Sequence, residues 1–580
     1  MSCSGNAVNI IFQERSNFII IGLTGRTGSG CTTAAKILLE SDFNKLALQI
    51  PIDCNFKEND ERKYRLIYNF AKENWLPFKV IEMSVVIASF VFERGYSNIR
   101  KYFEDQSDIT IQRKDELLSE LDTLSSSINN ISENLIKCLD ENNRLKRDTT
   151  EIKRDEIKLL SQISQETTNF KKVLKRYTLN HIININGNEQ ECVAEAFTYF
   201  FQQFGNNIRA SGSPFDNSFS GNNMFDVARR ANDFIKAVRE SQRLKNEATL
   251  ICIDALRNHY EATYFQDRYS AFYLMAIDTD DDERIRRLGD MSKKQILSLD
   301  AMEYPEKLTD EKKFNQQNIA ACLEISDIHV YNPHTAIKDK NYYLTTQLIK
   351  YVMLMKHPGL ITPSNIERCM QIAYNAKLNS GCLSRQVGAA ITNNNFSIKA
   401  IGWNDVPSGQ VSCNLRDVCS LCVNKDYTSH SKFEIEDNDF SNRIGHLRSK
   451  IDYSLLKGRL YPYCFKDIYD KKNQVHTRAL HAEENAFLQI VKYGGTGIEG
   501  GILFTTASPC ELCSKKAYQL GIKQIYYIDP YPGISKDHIL TFGNNNPEMK
   551  LFYGAIGCAY TKLYSQRLSI KDELIMLNEG

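Results

Sequence analysis

Two short clusters toward the C-terminal end hold side chains that can do chemistry together: His481-Ala482-Glu483, and Pro509-Cys510-Glu511-Leu512-Cys513. One imidazole (His481) and two thiolates (Cys510 and Cys513) give Zn²⁺ three protein ligands and leave the fourth tetrahedral position for water. That is a catalytic arrangement rather than a closed structural one. Water at such a position has its pKa brought from ~15.7 toward ~7, so hydroxide is available at neutral pH. Glu483, two residues from His481 at a predicted helix start, faces that water rather than the metal and is the candidate proton carrier. Cys510 and Cys513 open a second predicted helix behind Pro509, where the positive end of the helix dipole favours thiolate. The alternative is half of a structural zinc knuckle beside an unrelated histidine. A His-x-Glu before one helix, a strand, and a Pro-Cys-x-x-Cys before the next helix favour the catalytic reading.

A second candidate site lies near the start of the chain. Gly25 to Thr32 follows the pattern of a phosphate-binding loop, with Gly25, Gly28, Gly30, Thr32 and Thr33 in place but Cys31 where that pattern has lysine. Backbone N–H groups of a glycine turn and helix start can still hold phosphates. The cation that steadies the β and γ oxygens during transfer is missing. The expectation is therefore nucleotide binding without transfer, with Thr32 and Asp254 near a Mg²⁺ and the domain acting as a regulator. Lys36, one turn further on, is too distant to substitute. The alternative is a glycine turn that only packs a helix on a strand. Cys413, Cys419 and Cys422, with His430, His446 and Cys464 nearby, form a candidate second metal site whose ligand set the spacing leaves open.

The elements that must position these residues read as α/β. Phe18 to Leu23 is a short β-branched run of the kind buried on both faces of a parallel sheet, followed at once by the glycine loop and a helix from Ala34 to Glu40. Thr249 to Ile253 and a region around Ile325 to Val330 are further strand candidates. Between Tyr96 and Asn186 there is neither Gly nor Pro, and Leu117, Leu121, Leu124, Ile128, Ile131 and Leu135 repeat at spacings of four and three. This predicts a coiled-coil-like helical insertion over 96–180, folded back with Leu145, Ile152 and Leu159 on its return arm, before strand-like sequence resumes at His181 to Ile185. Asn206 to Asn223 reads as a surface loop. Proline and glycine near 356–363 mark a boundary between domains of residues 1–355 and 364–580. Beyond it the pattern predicts helices at 364–378, 482–492 and 510–520, alternating with strands at 387–392, 397–403, 501–506 and 524–528.

At 580 residues the chain exceeds what one core supports, and 42% hydrophobic with 25% charged residues suits soluble globular domains. The balance of 72 basic against 71 acidic side chains gives no global field for a polyanion, which weighs against a nucleic-acid partner. Sixteen cysteines without a disulfide pattern suit reduced thiols. With no secretory signal pattern after Met1 and no apolar run of ~20 residues, the expectation is a cytoplasmic protein without a membrane association.

The His-x-Glu and Pro-Cys-x-x-Cys clusters resemble those of the cytidine and deoxycytidylate deaminase superfamily, over roughly Ser364 to Tyr564. The resemblance implies an α/β/α deaminase fold, a single catalytic Zn²⁺ and hydrolytic loss of ammonia from a cytosine ring. Ser384-Arg385-Gln386-Val387-Gly388-Ala389 and Gly402-Trp403-Asn404 look like that family's substrate-binding segments. They imply Asn404 on the sugar hydroxyl, Ser384 and Arg385 near sugar or phosphate, and Ala482 and Ser508 against the base. A kinase-like P-loop parallel sheet joined to such a domain resembles bacterial anti-phage deoxycytidine nucleotide deaminases. Residues Ile253 to Asp278, Tyr531-Pro532-Gly533 and Gly554-Ala555 add to that likeness. It implies conversion of dCTP or dCMP to the uracil form, a homo-oligomer, and in some relatives restraint by a small RNA. Two other classes compete: a deaminase that edits a polynucleotide, which needs a basic groove with stacking aromatics, and an inactive deaminase-like nucleotide sensor.

Overall fold

A computed structural model describes residues 3–51, 58–106, 109–139, 149–185, 188–289, 291–303, 311–333, 341–471, 473–494, 497–529 and 534–578. Leu145 and the Tyr531-Pro532-Gly533 segment lie outside the described residues. The chain forms two compact units, Met1–Thr362 with Thr561–Gly580, and Pro363–Tyr560. Residues 561–578, expected in the C-terminal domain, thus pack with the N-terminal unit: His357 Nε2 meets Glu573 Oε1 at 2.9 Å, and Arg15 Nη1 donates to Lys562 O at 3.1 Å.

In the first unit, strands β1 (Phe18–Thr24), β2 (Lys79–Glu82), β3 (Thr249–Asp254), β4 (Phe272–Asp278) and β5 (Ile328–Tyr331) lie in the order β5-β4-β1-β3-β2. Every neighbouring pair is parallel. The chain leaves β1 in the middle of the sheet, where the order reverses, so its C-terminal end is the kind of switch point at which open α/β sheets form crevices. The glycine loop sits there. The heptad residues pack with the return helix Thr149–Leu174, whose Leu159 and Ile163 share their core, and that core runs on into the α/β unit. Helices Lys114–Asp122 and Ser125–Leu139 break at Thr123, and Leu117, Leu121, Ile128, Ile131 and Leu135 share one core with Val86, Phe92, Phe170 and Ile253. The resumed strand sequence is part of an antiparallel hairpin, Thr178–Ile185 with Asn188–Glu195, outside the parallel sheet. Part of the expected loop at Asn206 to Asn223 is helical: Ala196–Ser211 stays helical until Gly212, whose φ of +79° ends it, because Phe200, Phe204 and Ile208 bury one face.

The second unit is a sheet of β6 (Gly388–Thr392), β7 (Ile398–Trp403), β8 (Ile502–Ala507), β9 (Gln524–Asp529) and β10 (Glu548–Leu551), ordered β7-β6-β8-β9-β10. Alternation along the strands sends residues to two layers. Ala389, Ile391, Leu503 and Ile525 face helices Ala482–Tyr493 and Glu511–Gln519, while Ala390, Phe504 and Tyr526 face helix Asn365–Lys377. Ser364 caps that last helix by accepting the Glu367 N–H at 3.1 Å. Between β7 and helix Ala482–Tyr493 the described residues form five α-helices and two 3-10 turns around Val418, Leu421, Phe440, Ile444 and Tyr463.

Gly402 sets the depth of helix Ala482–Tyr493 on the sheet. A Cβ on it would collide with the backbone of Ala482 and Ala486, which no rotamer change relieves. Gly402→Ala is therefore expected to cost this unit about 1–3 kcal/mol. It should also lower activity in the protein that remains folded, because the displaced helix carries His481 and Glu483; thermal unfolding and deamination assays on the same sample check both effects.

Candidate active site

Two helix starts meet at the C-terminal edge of β8. His481 is the N-cap of Ala482–Tyr493, with extended backbone (φ −74°, ψ 156°), and Cys510 is the N-cap of Glu511–Gln519 (φ −69°, ψ 175°). The local chemistry explains both starts. Glu483 and Glu484 occupy the first turn of one helix and Glu511 that of the other, each offsetting the positive helix end. Lys516, on the second helix, forms an ion pair with Glu484 on the first and ties the two together.

The convergence brings His481 Nδ1 to 3.2 Å from Cys510 Sγ and 3.5 Å from Cys513 Sγ. All three donor atoms lie within 4.8 Å of one another, and among the described residues this is the one such group of His, Cys, Asp or Glu. Around a tetrahedral Zn²⁺ with bonds of about 2.0–2.3 Å, donors sit roughly 3.5 Å apart. The donor set therefore fits that ion in chemistry and spacing. The Cys510 thiol is pushed down to about 4 by its hydrogen bond with Cys513 and by His481, so it is a thiolate at neutral pH. Cys513, donating to that thiolate, is raised, and the thiolate in turn raises His481.

Glu483 is buried and lies beside this group; burial pushes its carboxyl above the usual range. The Thr505 hydroxyl stands 3.3 Å from its Oε1. Ser384, Arg385, Asn404, Ala482 and Ser508 line one cavity together with His481, Glu483 and Cys510. Asn404 also shapes that cavity: its Oδ1 accepts the Val387 N–H at 2.6 Å and its Nδ2 donates to Arg385 O. One amide proton and one lone pair are left over. Arg385 pairs with Asp529. Lys466 and Arg478, from the inserted segment, line the same cavity and were missed from sequence. Arg478 has a signal of sorts, three residues before His481; Lys466 has none.

The structure does not bring Cys413, Cys419 and Cys422 together as a three-donor group. His430 is spent on other partners, one ring nitrogen meeting the Arg416 guanidinium and the Tyr463 hydroxyl at 2.9 Å each, the other Ser420 Oγ at 2.8 Å. Cys419 Sγ donates to Tyr453 Oη at 3.1 Å, and Cys413 Sγ accepts from Arg478 at 3.6 Å. Neither Cys422, Cys464 nor His446 joins them in a three-donor group.

At the other candidate site, Gly25, Gly28 and Gly30 take φ of +155°, +92° and +117°, and the loop runs into helix Cys31–Leu39. Burial pushes the Cys31 thiol up to about 12, so it stays neutral. Thr32 hydrogen-bonds Asp254, and Thr33 lines the same cavity as the loop. Lys36 is exposed and does not line it.

The sequence profile described as "Cytidine and deoxycytidylate deaminase zinc-binding region" matches residues 363–529. The deoxycytidylate deaminase of Enterobacteria phage T4 is 29% identical over 174 residues, 28% of this chain and 76% of that protein. Its counterpart in Enterobacteria phage T2 is 31% identical over 166 residues, 28% of this chain and 78% of that protein. A solved structure of the dCMP deaminase from cyanophage S-TIM5, in complex with dCMP and dUMP, covers 33% of this chain and 99% of that one, at 24% identity and a TM-score of 0.21. Through its second unit the chain belongs to the cytidine and deoxycytidylate deaminase family. It is a hydrolase of the deaminase type. No helix among the described residues is long and apolar enough to cross a membrane.

His430 supplies a test of the inserted segment. Burial and Arg416 lower its pKa from 6.5 to about 4. Between those values the unfolded chain binds a proton that the folded chain refuses, so the contribution is complete above pH ~6.5 and is lost as pH falls toward ~4. Thermal unfolding of the wild type should show that decline, and His430→Asn should flatten it over the same window.

Proposed function

We propose that the second unit hydrolytically deaminates free deoxycytidine nucleotides, dCMP and dCTP, to the uracil forms with release of ammonia. The observation that carries this reading is a buried carboxylate, Glu483, beside three converging metal donors in a cavity rimmed by Arg385, Lys466 and Arg478. Three cationic side chains suit a phosphorylated substrate better than a nucleoside. Bound by His481, Cys510 and Cys513, Zn²⁺ would supply Lewis-acid activation of water at neutral pH.

Glu483 takes a proton from the attacking water as the oxygen adds to C4 of the cytosine ring, and delivers it to the ring nitrogen. The same carboxylate then takes the remaining proton from the added hydroxyl and passes it to the exocyclic amine; the C4–N bond breaks, ammonia leaves and the oxygen becomes the C4 carbonyl of uracil. Its burial favours this exchange, since a carboxyl pushed upward both accepts and returns a proton. Ala482 and Ser508, which line the cavity, are the proposed contacts of the base edge, and the unused amide proton and lone pair of Asn404 suit a sugar hydroxyl. Ser384 and Arg385 are the proposed phosphate contacts, and a phosphate would compete with Asp529 for the guanidinium.

The first unit is read as a regulatory P-loop domain, supported by a glycine loop at the switch point of a parallel sheet and by Thr32 beside Asp254, a pair suited to Mg²⁺. The physiological role proposed is depletion of the deoxycytidine nucleotide pool during phage infection. A cytoplasmic homo-oligomer, with a small RNA as a candidate inhibitor, follows the same family resemblance.

Incubation of the purified protein with dCMP, dCTP, CTP and single-stranded DNA tests the assignment. Uracil products from the deoxynucleotides are expected, and Glu483→Ala should lower turnover by about 10²–10⁴-fold with zinc retained. Product from DNA alone would favour polynucleotide editing, and no product from any of the four would leave a sensor.

A further inference from the structure

The anion seat of the glycine loop already holds a carboxylate belonging to the chain. Glu303, the last residue of helix Lys293–Glu303, is fully buried. Its two oxygens accept the Thr27 N–H at 3.1 and 3.3 Å. One of them also accepts the Thr27 hydroxyl, and Arg257 Nη1 at 2.5 Å. Arg257 Nη2 closes the ring by donating to Thr27 Oγ1 at 2.9 Å. A loop N–H, a hydroxyl and a forked guanidinium are the partners a phosphate oxygen group takes.

An open cavity lies next to this ring. It measures roughly 560 Å³, within the ~300–1,000 Å³ range of small-molecule sites, and Gly28, Gly30, Thr32, Thr33, Arg257 and Arg287 are among its walls. The remaining arginines around the loop are matched with carboxylates too. Arg26 pairs with Asp281 and Asp300, Arg284 with Asp300, and Arg286 and Arg287 with Glu283. An incoming polyphosphate therefore gains a guanidinium by displacing a carboxylate. Among the described residues, Glu303 is the carboxylate that also occupies a loop N–H.

We propose that Glu303 is an internal stand-in for the terminal phosphate of a nucleoside triphosphate, and that the triphosphate binds this loop by displacing Glu303 from Thr27 and Arg257. Arg257 then supplies the positive charge that Cys31, in the lysine position, does not. The displaced carboxylate ends helix Lys293–Glu303, so the same exchange loosens that helix and converts occupancy of the loop into a change of structure. This inference rests on the reading of the loop as a nucleotide site.

Titration of the full chain with a fluorescent ATP analogue and Mg²⁺ tests it, with unlabelled ATP and ADP as competitors. Glu303→Gln keeps the shape and removes the charge. It is expected to tighten triphosphate binding about tenfold, the worth of one charge-assisted hydrogen bond, with a smaller gain for the diphosphate. Glu283→Gln neutralises a carboxylate that holds Arg286 and Arg287, and should give a smaller gain. Affinity unchanged or weakened in Glu303→Gln, or an equal gain in Glu283→Gln, overturns the displacement while leaving a binding-competent wild type as a nucleotide site. Absence of binding in all three proteins overturns both. A second measurement needs no variant: saturating triphosphate should speed deuterium uptake across residues 293–303 of the wild type, and unchanged or slower uptake there contradicts the proposal.

Discussion

Two helix starts, at His481 and at Cys510, have to end side by side, and the rest of the second unit is arranged around that requirement. One imidazole and two thiols approach to within 4.8 Å although 29 residues separate His481 from Cys510. Neither helix could hold such an approach alone. The parallel pairing of β8 with β9 fixes where the second helix begins, and Gly402 lets the first settle onto β7 until backbone meets backbone. The Lys516–Glu484 ion pair then bridges the two. Partly exposed, it contributes little by itself; the packing of Ala482, Ala486 and Ala517 against Ala389 and Leu503 carries more.

That geometry also fixes the division of labour among acids. Glu483 and Glu484 are adjacent, yet one turns into the cavity and the other to Lys516, because successive helical residues point about 100° apart. The carboxylate that faces inward loses water and is raised, the state useful for passing a proton back and forth. The outward one spends its charge on structure. The inserted segment lines the same cavity. Its Arg416, Glu434, His430 and Tyr463 form a fully buried polar cluster, while Lys466 and Arg478 reach the cavity.

What could be read from sequence follows how local each feature is. His-x-Glu and Pro-Cys-x-x-Cys each span a few residues at a helix start, so their spacing alone carries the geometry. The buried runs Phe18–Thr24 and Thr249–Asp254 were equally plain, being apolar on both faces. Strand Lys79–Glu82 was not, because its burial is partial and its ends are charged. The heptad repeat is legible as a helical pattern with a return arm, since Leu159 and Ile163 of helix Thr149–Leu174 share its core, but the spacing does not tell that this core is continuous with the one under the parallel sheet. For Cys413, Cys419 and Cys422, spacing cannot report that the nearby His430 hydrogen-bonds Arg416, Tyr463 and Ser420. Lys466 reaches the cavity only through the fold of the insertion, and Glu303 reaches Thr27 across 276 positions of sequence.

The most direct measurement of the central claim is zinc K-edge X-ray absorption on the purified protein. Two sulfur ligands at about 2.3 Å are expected, with nitrogen or oxygen ligands at about 2.0–2.1 Å completing a four-coordinate shell. A shell of four sulfurs, or one without sulfur, would contradict the convergence of His481, Cys510 and Cys513 on a single catalytic ion.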